Sequence, residues 1–329
     1  MIHSVSNHPV IKSKLTILLL EPLHADAVKL MEMCDRVVMV EDQESAMRVA
    51  RSENVVAILT RGKNRISREL MNACAQLKAV SRAGAGVDTI DIDAAKERDI
   101  AVVFAPGVNA STTAEHTMLL MLAITRKAFA LMREVKAGNW ATRNNYEGAE
   151  LRGKTLGIVG YGAIGQCVAR LAVAFGMQVI YTRRTMDDDR YRMGNERRTT
   201  MDELLREADI VSLHTPINAE TRGMMNARAF GLMKRGAFLI NTARGGLIDK
   251  QALREALDTK RLAGFAGDVF DPQPPTQDDD ALVNHERVIL TPHSASLTDS
   301  TFREVSLFVT RNVIAVLNGE TPETRSVYG

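Results

Sequence analysis

The chain has 329 residues, too many for one ordinary core, so two domains are expected. Its 42 basic residues against 40 acidic ones give a formal net charge of +2, which offers no reason to expect a nucleic-acid or membrane partner. Three well-separated cysteines without a C-x-x-C pair (Cys34, Cys74, Cys167) exclude a disulfide or zinc framework and read as small buried hydrophobes in a reducing, cytoplasmic setting.

No segment approaches the ~18 apolar residues of a membrane span, and no signal-peptide pattern opens the chain. From the start, strands and helices alternate. Strands are expected at Leu15–Leu20, Arg36–Val40, Val55–Thr60, Leu77–Arg82 and Ile100–Phe104, with helices at Leu23–Met33, Gln43–Arg51, Ser67–Ala75 and Asp91–Asp99. Such alternation implies βαβ units and a parallel sheet. A long helical pattern follows, Ser111 to Lys136, opened by Ser and Thr caps and apolar through Met118, Leu119, Met121, Leu122 and Ile124.

Next comes Thr155-Leu-Gly-Ile-Val-Gly-Tyr-Gly-Ala-Ile-Gly165, an apolar strand running into Gly160, Gly162 and Gly165, then a helix, Gln166 to Phe175. Strand, G-x-G-x-x-G and helix together form a dinucleotide-binding fingerprint. Gly160 permits the tight turn, Gly162 admits a pyrophosphate to the backbone N–H groups, and Gly165 lets helix and strand pack closely. The anion then meets the positive end of the helix dipole.

Alternation resumes with strands at Gln178–Thr182, Ile210–His214, Ala237–Asn241, Ala263–Val269 and Val288–Thr291, and helices at Met201–Glu207, Asn226–Met233 and Lys250–Thr259. The Pro- and Asp-rich stretch Asp271–Asp280 reads as a loop. A last helix is expected over Leu297–Leu317. The two long helices would connect the domains. The first domain is then discontinuous, residues 1–108 plus 300–329, and the dinucleotide-binding domain fills 109–299.

Three strand ends in the second half carry reactive residues: Ile240-Asn-Thr-Ala-Arg-Gly-Gly246, Gly267-Asp-Val-Phe-Asp-Pro-Gln-Pro274 and Leu290-Thr-Pro-His-Ser294. Ligands of open parallel sheets bind beyond the carboxyl ends of strands, so Arg244, Asp268, Gln273 and His293 are expected to converge.

With Arg82-Ala-Gly-Ala-Gly-Val-Asp88 and the Asn109–His116 helix start, these motifs resemble the D-isomer-specific 2-hydroxyacid dehydrogenases over essentially the whole chain. The resemblance implies two doubly wound parallel-sheet α/β domains, a Rossmann-type cofactor domain inserted in a flavodoxin-like substrate domain. It also implies NAD or NADP as cofactor, a small 2-oxo or D-2-hydroxy acid in the interdomain cleft, and a homodimer to which the helix near Ser111 contributes. Cofactor contacts are implied at Gly160, Gly162, Ala163, Ile164, Gly165, Thr182, Arg183, Arg184, His214, Thr215, Pro216, Thr242, Ala243, Asp268 and His293.

A 2-oxo acid needs its carboxylate held, its carbonyl polarised, a hydride at carbon and a proton at oxygen. Arg244 suits the first two tasks as a planar, permanently charged fork of donors. His293 suits proton delivery, its ordinary pKa lying near neutrality. Backbone N–H groups of the turn Ala83 to Gly86, at Ala85 and Gly86, are implied to hold the carboxylate, and Asn109 and Arg61 to face the substrate. That turn imitates a second dinucleotide motif but lacks its third glycine.

Most of the family pairs the histidine with a glutamate five residues after the Gly-x-Asp-Val aspartate; this chain has Gln273 there. An amide orients an imidazole but stabilises its charge less. The same Gln–His pairing resembles formate dehydrogenases, although the long N-terminal extension associated with that group is not seen here. The cofactor strand ends Val179-Ile-Tyr-Thr-Arg-Arg184. An NAD enzyme carries an acid where Thr182 stands, and paired arginines attract a 2′-phosphate, so NADP is expected in preference to NAD. Asp187–Asp189 could instead make this a balanced, solvated turn.

His116 reads as packed rather than catalytic, His214 as lining the cofactor pocket, and His24 and His285 as lacking a partner pattern. No metal-ligand spacing occurs. The leading expectation is a reductase of glyoxylate or hydroxypyruvate. 3-Phosphoglycerate dehydrogenase is a second, lowered because the chain ends at Gly329 without room for further regulatory domains. A cofactor-sensing corepressor-like scaffold is the alternative of a different class, since fold alone does not fix function.

Overall fold

The computed structural model describes residues 15–184, 196–323 and 327. They divide into two compact units, Met1–Val108 with Asp299–Gly329, and Asn109–Thr298.

The first unit begins β1 (Thr16–Leu19), α1 (Ala25–Glu32), β2 (Arg36–Met39), α2 (Gln43–Ser52), β3 (Val55–Thr60), α3 (Arg68–Ala73), β4 (Ala79–Arg82), α4 (Ile92–Glu97) and β5 (Ala101–Val103). Its five strands are all parallel, in the order β2-β1-β3-β4-β5, the flavodoxin-like winding. Every residue of β1 and β3 is buried, because helices cover both faces of a parallel sheet. The helix starts are set locally. Asp42, Ser67 and Asp91 each accept a hydrogen bond from the backbone N–H three residues on.

The second unit contains α5 (Ala110–Thr125), α6 (Ala128–Lys136), β6 (Thr155–Val159), α7 (Ala163–Ala174), β7 (Gln178–Thr182), β8 (Arg197–Arg198), α8 (Met201–Glu207) and β9 (Ile210–Leu213). It continues with α9 (Ala227–Leu232), β10 (Ala237–Asn241), α10 (Lys250–Asp258), β11 (Leu262–Gly267), α11 (Asp280–Val283) and β12 (Val288–Leu290). Its sheet is also all parallel, in the order β12-β11-β10-β9-β6-β7-β8. The winding reverses between β6 and β9, so the crevice beyond their carboxyl ends is the dinucleotide position of a Rossmann sheet. The chain then returns to the first unit as α12 (Asp299–Asn318), whose Val305, Leu307, Val309 and Val313 join Ile17, Leu19, Met31 and Leu59 in one core.

The expected fold class is therefore the observed one, with local corrections. The helix expected over Ser111–Lys136 is two helices. Lys127 has φ +50° and the chain turns there before α6 begins. The last helix begins at Asp299 rather than Leu297. The Asp271–Asp280 loop closes on a short turn of 3₁₀ helix, Gln277–Asp279, and Asp280 opens α11. The two-residue edge strand β8 and the 3₁₀ turn Trp140–Asn145 carry no apolar periodicity, so neither was expected. Of the cysteines only Cys74 is buried, and burial pushes its thiol up to about 11. Cys34 is exposed and Cys167 half-buried, with Arg170 Nη2 at 2.9 Å from its sulfur. His24 and His285 do have partners: His24 accepts from the Asp26 N–H and meets the Phe302 ring, and His285 Nε2 lies 3.4 Å from Asp258. Asp187–Asp189 lie outside the described residues. No helix among the described residues is long and apolar enough to cross a membrane.

Candidate active site

The glycines of the fingerprint serve three separate physical needs. Gly160 has φ +97°, and a Cβ on it would stand 2.6 Å from the His214 carbonyl oxygen, so the turn from β6 into α7, pressed against the segment after β9, admits no side chain there. A Cβ on Gly165 would stand 2.3 Å from the Gly160 oxygen, which is the close helix–strand packing. Gly162 differs. Its φ is −85°, open to any residue, and a Cβ there would meet no protein atom within 4 Å. Neither backbone nor packing requires that glycine, so the space above it suits a ligand.

Gly162 is also the N-cap of α7 and supplies no capping side chain. The first N–H groups of that helix, from Ala163, Ile164 and Gly165, are thus available to a phosphate. The residues present fit a dinucleotide pyrophosphate.

Around the switch point, His214 is half-buried. Its Nε2 lies 2.8 Å from Ser212 Oγ, and its Nδ1 is buried without a hydrogen-bond partner among the described residues. Burial pushes its pKa down to about 3, so the imidazole is neutral near neutral pH and is no acid. Thr215 and Pro216 follow it, the Pro216 oxygen accepting from Thr221 Oγ1 at 2.8 Å. At the end of β7 the Thr182 oxygen accepts from the Gly160 N–H. Arg184 pairs with Glu220 at 3.4 Å, both side chains largely exposed. Arg198 of β8 donates to the Arg183 oxygen at 2.8 Å. Sequence reasoning missed this third arginine; the Arg197-Arg198 pair was its only signal.

The carboxyl ends of β10, β11 and β12, adjacent in the sheet, lead into the segments that carry Arg244, Asp268, Gln273 and His293. Buried Asn241 shapes the first of them, its Oδ1 accepting from the Ala243 N–H at 3.0 Å and its Nδ2 donating to the Arg244 oxygen at 2.8 Å. The Arg244 guanidinium donates back to the Ala243 oxygen at 2.7 Å. Thr242 Oγ1 lies 2.9 Å from Thr117 Oγ1 of α5, so the helix is tied to this turn. A Cβ on Gly245 would fall 2.2 Å from the Phe270 carbonyl carbon, so the segment after Arg244 packs directly on the segment before Gln273.

His293 is exposed and has φ +54°, unusual for a residue with a side chain. Its Nδ1 stands 2.8 Å from Gln273 Oε1. The amide oxygen accepts, so Nδ1 carries a hydrogen and Nε2 is directed away from Gln273. The Gln–His pair expected from the sequence is thus formed. Asp271 does not take that place; its carboxylate lies 3.6 Å from Arg222.

Asp268 is 1% exposed. Its Oδ1 accepts from Thr291 Oγ1 at 2.5 Å and the Ser294 N–H at 2.8 Å, and its Oδ2 from the Ala295 N–H at 2.8 Å. At the start of α5, Asn109 Oδ1 and Thr113 Oγ1 are buried without a partner among the described residues.

In the first unit, Arg82 Nη1 donates to the Gly86 oxygen at 2.9 Å and closes the Ala83–Gly86 turn. The Gly84 N–H is used by the Arg82 oxygen. Arg61 holds its guanidinium 4.6 Å from the centroid of the Phe302 ring of α12. No group of three or more His, Cys, Asp or Glu among the described residues could hold a metal ion.

Comparison with known proteins agrees with this geometry. Residues 118–295 match the family model described as the D-isomer specific 2-hydroxyacid dehydrogenase, NAD binding domain. The chain is 37% identical over 308 residues to D-3-phosphoglycerate dehydrogenase of Methanocaldococcus jannaschii, covering 93% of this chain and 58% of that one. It spans about half to three-fifths of the length of the curated relatives it first matches. It is 39% identical over 260 residues to (S)-sulfolactate dehydrogenase of Chromohalobacter salexigens, covering 79% of this chain and 84% of that one. A glyoxylate reductase structure from Paecilomyes thermophila superposes with a TM-score of 0.85 at 32% identity, covering 94% of this chain and 98% of that one. A glycine turn with open space above it, three loaded strand ends and these likenesses lead to one conclusion: the chain belongs to the D-isomer specific 2-hydroxyacid dehydrogenase family and carries that family's NAD-binding domain.

Proposed function

We propose that the protein is an NADP(H)-dependent reductase of a small 2-oxo acid, glyoxylate or hydroxypyruvate, yielding achiral glycolate from the first and the D-2-hydroxy acid from the second. The observation that supports the reaction is the His293–Gln273 pair, in which Nδ1 faces the amide oxygen and Nε2 is left for proton exchange. A nicotinamide bound there would supply a hydride to the carbonyl carbon, and protonated His293 would give the proton on Nε2 to the carbonyl oxygen. Arg244 holds the carboxylate and polarises the carbonyl. Ala85 and Gly86 N–H groups of the first unit and Asn109 are assigned to substrate oxygens, with Arg61 beside them. The first unit is thereby the substrate domain.

The cofactor is assigned to Gly160 through Gly165, His214 to Pro216, Thr242, Ala243 and Asp268. NADP is preferred because Thr182 offers no carboxylate to repel a 2′-phosphate, while Arg183, Arg184 and Arg198 stand at that strand end. The Arg184–Glu220 pair is exposed, and such pairs are weak enough for a phosphate to displace.

A second reading, oxidation of 3-phosphoglycerate, is favoured by Arg61 and Arg82 at the ends of adjacent strands. All three cysteines are free thiols, which suits a reducing, cytoplasmic setting. Exposed Leu119, Phe129, Met132, Val135 and Trp140 of the α5–α6 region suit a homodimer contact.

The test is NADPH and NADH consumption, followed by absorbance, with glyoxylate, hydroxypyruvate, pyruvate, 3-phosphohydroxypyruvate and bulkier 2-oxo acids. NADPH-linked turnover of the first two is expected. Preference for NADH overturns the cofactor assignment. Preference for the phosphorylated acid selects the second reading, NADP reduction by formate selects a formate dehydrogenase, and no turnover with binding of a partner peptide selects a scaffold.

A further inference from the structure

We propose that His116 is a positioning residue that sets the direction of His293 through Thr291 and Asp268; this rests on the assignment of proton exchange to His293. The side chain of His293 is exposed, and its Nδ1 stands against Gln273 Oε1. Its direction depends on the Gln273 contact and on the turn Thr291–Ala295 that carries it.

That turn is wrapped around Asp268. The Asp268 main-chain oxygen accepts from the His293 N–H at 2.8 Å, and its carboxylate accepts from the next two N–H groups and from Thr291 Oγ1. Together these bonds hold His293 at its left-handed φ, a conformation that persists only where the surroundings over-determine it.

His116 ties the carboxylate cage to helix α5. His116 Nε2 lies 2.9 Å from Thr291 Oγ1 and 3.6 Å from Asp268 Oδ1. The Thr291 hydroxyl has one proton and gives it to Asp268, so its oxygen accepts, and His116 Nε2 must carry the hydrogen it donates. The ring is 15% exposed, so its orientation is fixed. Helix α5 is buried against α7 and the strands β10, β11 and β12, and is a rigid base for the clamp. The connection runs His116 to Thr291 to Asp268 to the His293 turn, so His116 acts on His293 only through those two residues.

The experiment compares His116→Leu, His116→Asn and His116→Gln in the whole protein. The amide of glutamine reaches the position of Nε2, whereas that of asparagine is one bond short. kcat, KM, NADPH affinity by nicotinamide fluorescence, and amide exchange at residues 293–295 are measured. In the Leu and Asn variants kcat is expected to fall on the order of 10- to 100-fold, the scale of a misplaced catalytic group, with NADPH affinity unchanged. The Gln variant should restore most of that loss. If the Leu variant does not fold, the Asn and Gln pair decides.

Wild-type kcat in the Asn variant, a parallel loss of NADPH affinity, or no rescue by Gln overturns the proposal. Exchange at Ser294 and Ala295 should quicken in Leu and Asn and stay slow in Gln. That readout needs no turnover, so a wild type inactive on every 2-oxo acid would sink the proposed reaction while unchanged exchange would sink the clamp.

Discussion

A hydrogen bond and a charge do different things to the same imidazole. Gln273 accepts from His293 Nδ1 whether or not Nε2 is protonated, so it orients the ring in both states. A carboxylate in its place would also favour the imidazolium, by about one pKa unit or more. Reduction consumes the imidazolium, so the reduction rate falls as pH rises through the pKa of His293. Gln273→Glu should therefore move that falling limb to higher pH; identical rate profiles for the two proteins would refute the assignment. At this scale the sequence was legible wherever the pattern is local. The glycine spacing, Thr182 with its two arginines, and the missing glutamate are each read within a few residues. Asn241 shaping the Arg244 turn is local too, but its meaning depends on being buried. The His116–Thr291 bond joins residues 175 positions apart, and no sequence pattern announces it.

Among the elements, α6 stands out because none of its residues is buried. Phe129, Met132 and Val135 recur every three residues on one helical face and are exposed, with Trp140 and Leu119 exposed nearby in the chain. Such a row is costly in water and suits a second copy of the chain. On the proposed dimer, Met132→Glu should shift sedimentation toward monomer while leaving secondary structure intact; unchanged sedimentation would remove this face from the proposed interface. The break before α6 was hidden from the sequence. The apolar period runs on through Arg126 and Lys127, and the left-handed turn uses lysine rather than a glycine that would have marked it. Strand positions were more legible than helix ends, because buried parallel strands are short continuous apolar runs.

At the scale of the molecule, each unit owns its sheet and its core. The second unit is one continuous segment, with cores on both faces of its seven-stranded sheet. A fragment of residues 109–298 should unfold cooperatively and bind NADPH; an uncooperative melt would show that its core depends on the rest of the chain. The first unit has no such independence. Removing α12 would strip Val305, Leu307, Val309 and Val313 from the faces of Ile17 and Leu59, with a loss of several kcal/mol at about 1.5–3 kcal/mol per buried aliphatic side chain. The two long helical patterns, read as connections between domains with the last returning to the first, were the sequence signal for this nested arrangement.

That nesting imposes an order of events during synthesis. The ribosome delivers β1 to β5 first, but the helix that seals their apolar surface emerges only after all of the second unit. The nucleotide-binding half can therefore mature while the earlier half waits, partly uncovered, as a nascent client for chaperones.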